Sequence, residues 1–259
     1  MSITKSNNRV HFIDEIRGFS IICMVFYHLA YSINYFHLMG NFSFNIPFLN
    51  EPWMNFLRDL FVGIFVFVSG MSCNLSKNNI KRGILTIILA FIVSFVTYVF
   101  VPSNLILFGI LHMLGFCMLI YGLIKKSVNK LNNFVFVPIF IVLFLFFFNL
   151  KDGVIGFGQL TFNVPNEFYS TNYLFWLGLP NELFSSADYF PLIPWLFLFI
   201  AGGLIGKNIY KIKKGSFIYN SHVPILGTVG KYTIWVYLAH QPIIWGALYV
   251  ISFCIDKFK

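Results

Sequence analysis

Arg17 and His28 are the residues of this sequence whose types and spacing lend themselves to chemistry. Both belong to Asp14-Glu15-Ile16-Arg17-Gly18 and the apolar run that continues from Phe19 to Tyr31. A run of that kind reads as the first transmembrane helix. At 3.6 residues per turn, eleven residues make almost three whole turns. The guanidinium and the imidazole therefore share one face, about 16 Å apart along the axis. An ionisable side chain inside a span is by default a functional-site hypothesis. Here a cation at the helix entry lies in line with a titratable base deeper in.

Other polar residues fall inside apolar segments and extend the pattern. His112 follows Gly109-Ile110-Leu111, and His240 precedes Gln241-Pro242. Arg58-Asp59 opens a second span, and Asp188 stands at the mouth of a sixth. Each is costly against lipid, so together they point into a bundle. Each also has a plain structural reading. The histidines can be interhelical glue, Ser69-Gly70 a close helix contact, and Asp188 the cap of the sixth span. Adjacent residues point apart on a helix, so Arg58 and Asp59 are not expected to pair.

A base in the outer half of a span, with Arg below it and a lysine-rich inner rim, suits one task. A phosphate-bearing donor would set its anionic head at Arg17 and thread a thin arm up to His28. The spacing resembles an extended pantetheine arm, which makes an acyl thioester the expected donor. An external hydroxyl or amine would be the acceptor, with His28 as general base. Arg58, His112 or a backbone N–H would face the oxyanion. An acyl-imidazole route is equally open. A proton-coupled transporter using His28, His112 and His240 as a relay is the alternative. A structural membrane protein with glue histidines is the third reading.

The elements that must position these groups follow from composition. The chain has 259 residues, 58% apolar and only 10% charged, with 34 Phe and a mean hydropathy of +0.77. A soluble domain carries about 25% charged residues, so an all-α integral membrane protein is expected: a single domain over 1–259, with a bundle of about seven transmembrane helices. The spans are placed at 17–38, 54–75, 83–101, 105–124, 134–150, 189–209 and 230–255. The outer loop is 151–188, with a re-entrant or interfacial segment near 172–188. The first span has no small-residue cleavage site and is read as retained. Cys23, Cys73, Cys117 and Cys254 show no metal spacing and read as small buried hydrophobes. Pro242 should kink the last span beside His240. The formal charge of +9 does not signal nucleic acid, because no basic domain or binding motif accompanies it. With the N-terminus cytoplasmic and the C-terminus outside, fourteen of the eighteen Lys and Arg fall inside, all but Arg58, Lys151, Lys257 and Lys259. That obeys the positive-inside rule. A multi-pass protein of the plasma or inner membrane results.

Several motifs also carry a resemblance. Arg17-x10-His28 and Phe67-Val68-Ser69-Gly70 resemble the signature of membrane acyltransferases that modify exported glycans. With Gly109-Ile110-Leu111-His112, Asp188-Tyr189-Phe190-Pro191-Leu192-Ile193-Pro194-Trp195 and Tyr237-Leu238-Ala239-His240-Gln241-Pro242, residues 12–246 are similar to the bacterial branch of the heparan-alpha-glucosaminide N-acetyltransferase family. The resemblance implies acetyl-CoA as donor substrate at the inner side, no metal, and acetyl transfer to an external sugar or glycan. It implies His28 as catalytic base and Arg17 as a donor contact; His112 and Asp188 are expected beside His28 in the catalytic site, and Ser69, Gly70, Arg82 and Lys126 as further donor contacts. Acceptor contacts are expected at His37, Arg58, Asp59, Trp195, His240 and Gln241. The family's lysosomal member has Asn in place of His28 and its histidine further on, so His28 and His37 are alternatives for the base. Membrane lipid and a second copy of the chain are the remaining expected partners.

Overall fold

The computed structural model describes residues 9–42, 45–213 and 216–257. Lys5, Lys214 and Lys259, three of the charges that set the expected orientation, lie outside the described residues. The described chain carries eight α-helices: α1 (His11–Leu38), α2 (Pro52–Ser72), α3 (Asn79–Phe100), α4 (Ile110–Val128), α5 (Asn133–Phe146), α6 (Leu192–Gly206), α7 (Pro224–Lys231) and α8 (Thr233–Lys257). It divides into two compact units. A terminal unit comprises residues 1–65 and 212–259, and a central unit comprises 66–211. The helix α2 begins in the first and ends in the second.

Among the described residues six helices are long and apolar enough to cross a membrane: α1, α2, α3, α4, α8 and the stretch Asn133–Asp152 that contains α5. The α3 surface shows why lipid is the solvent. Leu85, Phe91, Phe95 and Phe100 stay more than half exposed along one helix, an apolar face that water would not tolerate. The molecule is an all-α, multi-pass membrane protein. Cys73 and Cys117 are buried as expected, whereas Cys254 is exposed on α8.

In the terminal unit α1 and α8 run in the same direction. His28 lies beside His240, and further along both helices Phe36 lies beside Trp245 and Tyr249. The sixth expected span is the shorter apolar helix α6, 15 residues long, which at 1.5 Å per residue reaches only about 22 Å. It begins later than the expected 189 because Pro191 and Pro194 lack the amide hydrogens that a helix interior needs and a helix start can spare. The last span also differs from expectation. Its beginning is a separate short helix, α7, and α8 carries Pro242 inside it.

Two devices fix α7 on α1. A side chain on Gly18 would strike the Leu226 carbonyl, and one on Gly230 would strike that of Asp14, so the two backbones touch. The Glu15 carboxylate accepts from Ser221 Oγ (3.1 Å), His222 N (2.7 Å) and Val223 N (2.9 Å). Val223, the residue before α7, offers no side-chain cap. Glu15 therefore satisfies the amides at the α7 start from a distant part of the chain.

The central unit packs α3 on α4 and α5 on α6. Asn78 caps α3 through Lys81 N, and Asn132 caps α5 through Phe134 N, both at 2.9 Å. Between α5 and α6 the long connection, expected as loop from the sequence, folds into a hairpin, β1 (Val154–Phe157) with β2 (Leu160–Asn163). Its two-residue turn has Gly158 at a φ of 62°, the left-handed geometry a tight hairpin asks of its first turn residue. The stretch near 172–188 forms no crossing helix. It has one 3-10 turn at Phe175–Leu177, and its end is bonded to the start of α4 through Ala187 N to Leu105 O and Phe190 N to Phe108 O.

Candidate functional site

The terminal unit holds Arg17, His28, His37, Arg58, Asp59, His240 and Gln241. The central unit holds Ser69, Gly70, Arg82, His112, Lys126, Asp188 and Trp195.

In the terminal unit α1 is unbroken from His11 to Leu38, so the shared face of Arg17 and His28 stands. The ring of His28 lies 5.1 Å from that of His240, tilted by 52°. It lies 5.9 Å from Tyr27, edge to face. Arg58 of α2 is the charge that bears on His28, and its guanidinium also reaches Tyr27. Contrary to expectation Arg58 and Asp59 do pair, with Nε donating to Oδ1 at 2.8 Å. The backbone directions do diverge, but an arginine side chain is long enough to fold back on its neighbour.

The bonding of His240 decides its tautomer. Its Nδ1 lies 2.5 Å from the Tyr237 carbonyl, and a carbonyl can only accept. Nδ1 therefore carries the proton, and Nε2 is the basic nitrogen of the neutral ring. Two imidazoles thus meet on neighbouring helices, one with a fixed tautomer. That arrangement can take, hold and pass on a proton.

His37 is the alternative base. Nine residues at about 100° each place it roughly half a turn round from His28, on the opposite face of α1. Its Nδ1 donates to the Phe42 carbonyl at 2.8 Å, which closes the end of the helix. One site does not use both.

At the entry of α1, Asp14 is buried between two arginines. Arg9 Nε meets one carboxylate oxygen at 2.5 Å, and Arg17 Nη2 meets the other. Arg17 is therefore held by an intrahelical partner three residues back, a pairing beyond the expected donor contact. The i, i+3 spacing of Asp14 and Arg17 was the signal for it.

The central unit gives its polar residues a different character. The Nδ1 of His112 accepts from Gly109 N at 3.3 Å, so the proton sits on Nε2, which faces Ser94 Oγ at 3.4 Å. That hydroxyl in turn donates to the Ile106 carbonyl at 2.5 Å. The His112 ring is stacked on Phe108 and met edge-on by Phe91. Asp188 Oδ2 accepts from Ile110 N at 3.2 Å. The helix capped by Asp188 is thus α4, not the sixth span that follows it in sequence. His112 and Asp188 together finish the α4 N-terminus, and Ser94, in a span without other notable features, is the partner that sequence reasoning missed.

Ser69-Gly70 lies on a packing seam. A side chain on Gly70 would collide with the Phe199 carbonyl, and one on Gly202 with that of Phe67. Trp195 is 4% exposed among Phe144, Phe148 and Phe190, a core residue of this unit. Arg82 and Lys126 are exposed, at the start of α3 and near the end of α4. Among the described residues no three His, Cys, Asp or Glu side chains gather as a metal site requires.

No curated protein and no solved structure matches the sequence. The family described as heparan-alpha-glucosaminide N-acetyltransferase, catalytic, matches residues 9–242, a range that takes in every candidate site residue from Arg17 to Gln241. Acetyltransferase chemistry in a membrane is what that family does, and the chain belongs to it.

Proposed function

We propose that the protein moves an acetyl group from cytosolic acetyl-CoA to an amine or hydroxyl of a sugar on the far side of the membrane. The observation that carries this reading is the imidazole pair His28–His240, 5.1 Å apart, on a helix whose same face leads back to Arg17. The positive-inside count puts Arg17 at the cytosolic end and His28 in the outer half.

In this scheme the acceptor nitrogen or oxygen attacks the thioester carbonyl, and His28 takes the proton the attacker gives up. The basic Nε2 of His240 shares that proton load. The C–S bond then breaks, and the proton passes to the departing thiolate. Arg58 stands near His28 and faces the negative charge that grows on the carbonyl oxygen. Arg17, oriented by Asp14, meets the donor's phosphates through its guanidinium. His112 and Asp188 contribute by fixing α4.

Purified protein incubated with labelled acetyl-CoA tests the reading. Label should pass to an amine- or hydroxyl-bearing sugar, and His28→Ala and Arg17→Ala should each abolish the transfer while the protein stays folded in detergent. Undiminished transfer in both variants sinks it. Counterflow of a solute in proteoliposomes without any acyl donor would instead mark the imidazole pair as a transporter's proton relay.

A further inference from the structure

The hairpin that follows α5 has an apolar face that the described residues leave largely open. Its register pairs Ile155 with Phe162 and Phe157 with Leu160. Paired residues of an antiparallel ladder share a face, and successive residues of a strand alternate between faces. Those four side chains therefore project to one side, and Val154, Gly156, Thr161 and Asn163 to the other. Phe157, Leu160 and Phe162 remain 50%, 66% and 57% exposed. Adjoining one another, they make a patch, and an exposed apolar patch marks an interaction site.

The hairpin is fixed against the helix it leaves. Val164 N donates to the Gly153 carbonyl at 2.9 Å and closes the base of the hairpin, while Val154 N donates to the Asn149 carbonyl at 3.3 Å. Further on, Tyr169 Oη donates to the Leu150 carbonyl at 2.5 Å and ties the outgoing chain to the same place. At the tip, the Phe157 ring meets Phe146 edge-on at 6.4 Å. Phe146 is the last residue of α5 and lies within Asn133–Asp152, a stretch long and apolar enough to cross a membrane. The tip thus folds back to the level of a spanning segment instead of standing away from it.

We propose that the hairpin is an interfacial foot. Ile155, Phe157, Leu160 and Phe162 rest on the acyl-chain boundary of the leaflet at that end of α5, as the apolar side of an amphipathic helix does, and pin the 151–188 connection to the membrane surface. Lipid is the occupant because the face continues a lipid-facing surface: Ile139, Val142 and Leu145 of α5 are exposed, and the Phe146–Phe157 contact joins that surface to the hairpin. A lone pair of strands is marginal in water, and the hydrocarbon boundary supplies the layer it lacks. The backbone itself goes no deeper. A sheet of two strands has N–H and C=O groups along its outer edges that hydrocarbon would not answer. It therefore lies in the headgroup layer, with Thr161 and Asn163 turned to water. None of this depends on acetyl transfer.

The test uses the full chain in phosphatidylcholine nanodiscs, with Cys23 and Cys254 replaced by alanine and the buried Cys73 and Cys117 left in place. A nitroxide is attached in turn through Leu160→Cys, Thr161→Cys, Phe162→Cys and Asn163→Cys. Oxygen, which concentrates in hydrocarbon, should relax the labels at 160 and 162 several-fold more than a water-soluble nickel chelate does. The preference should invert at 161 and 163, with the period of two that a strand imposes. Four labels that all favour the nickel chelate put the face in water and overturn the proposal. Spin–spin broadening between chains, with both reagents excluded from 160 and 162, means that a second copy covers the face, and overturns it as well. The unsubstituted chain supplies an independent arm, in nanodiscs carrying a phosphatidylcholine with a diazirine on its acyl chain. Illumination should attach lipid to Phe157, Leu160 or Phe162, whereas adducts confined to the helices would reject the foot.

Discussion

His240 and His112 are both buried, at 7% and 2% exposure, yet their rings are bonded in opposite senses. In the terminal unit a carbonyl holds the Nδ1 proton of His240, and the basic nitrogen is left on the side chain's far edge. In the central unit a backbone N–H occupies the basic nitrogen of His112, and the ring's own proton is directed at Ser94. Burial and residue type are the same, so neither separates a base from a strut. What separates them is which backbone group reaches the ring first. A carbonyl leaves a base behind, and an N–H consumes it.

The strongest way to break this comparison is to delete one imidazole from each unit. His28→Ala should lower kcat by about 10²- to 10⁴-fold, the usual worth of a positioned general base, with Tm little changed. His112→Ala should do the reverse, lowering Tm while the folded protein keeps its kcat. A matching loss of kcat in His112→Ala at unchanged Tm would erase the distinction.

The pair itself is tested next. If His28 and His240 act as one proton-handling unit, His240→Ala costs about tenfold or more, and the double variant is no slower than His28→Ala alone. Groups that act together are strongly non-additive in this way. Additive losses in kcat would mean that the two rings only touch.

Asp188 sharpens the other half of the comparison with a smaller effect. Asp188→Ala removes the acceptor for Ile110 N and should destabilise by about 1 kcal/mol, as lost helix caps do. Asp188→Asn keeps an oxygen in place and should recover most of that. Thermal unfolding read beside turnover checks both, and turnover per folded molecule should follow neither.

The sequence showed the terminal unit's site better than the central one, for a physical reason. Arg17 and His28 lie on a single helix, so their relation needs only the helical repeat. The same arithmetic separates His37 from His28. Asp188 is different: it caps a helix 78 residues away, and nothing local could tell α4 from the helix that follows. The two strands at 154–163 are four residues each, with β2 exposed throughout, too short and too little patterned to announce a hairpin. Glu15 reads locally as an acid near the start of α1, while its bonds run to residues 221–223. Helix positions were legible from hydropathy. The long-range hydrogen bonds that assign roles were not.

The smallest expected effect comes from the terminal unit's own acidic cap. Glu15 does for α7 what Asp188 does for α4, but the imidazole beside it, that of His222, bonds the Phe217 carbonyl and not a helix amide. Glu15→Gln keeps a carbonyl oxygen for Ser221, His222 and Val223 and removes only the charge facing the α7 N-terminus. The loss should be about 0.5 kcal/mol, the size of a charge–dipole contact at a helix end, and added salt should shrink it. Unfolding measured at low and high salt checks this, with turnover followed in parallel. A salt-independent loss would mean that the hydrogen-bond geometry, not the charge, secures α7. A fall in kcat larger than the loss of folded protein would tie this cap to the Arg17 end of the site, and the terminal unit would then combine cap and chemistry as tightly as the central unit combines cap and imidazole.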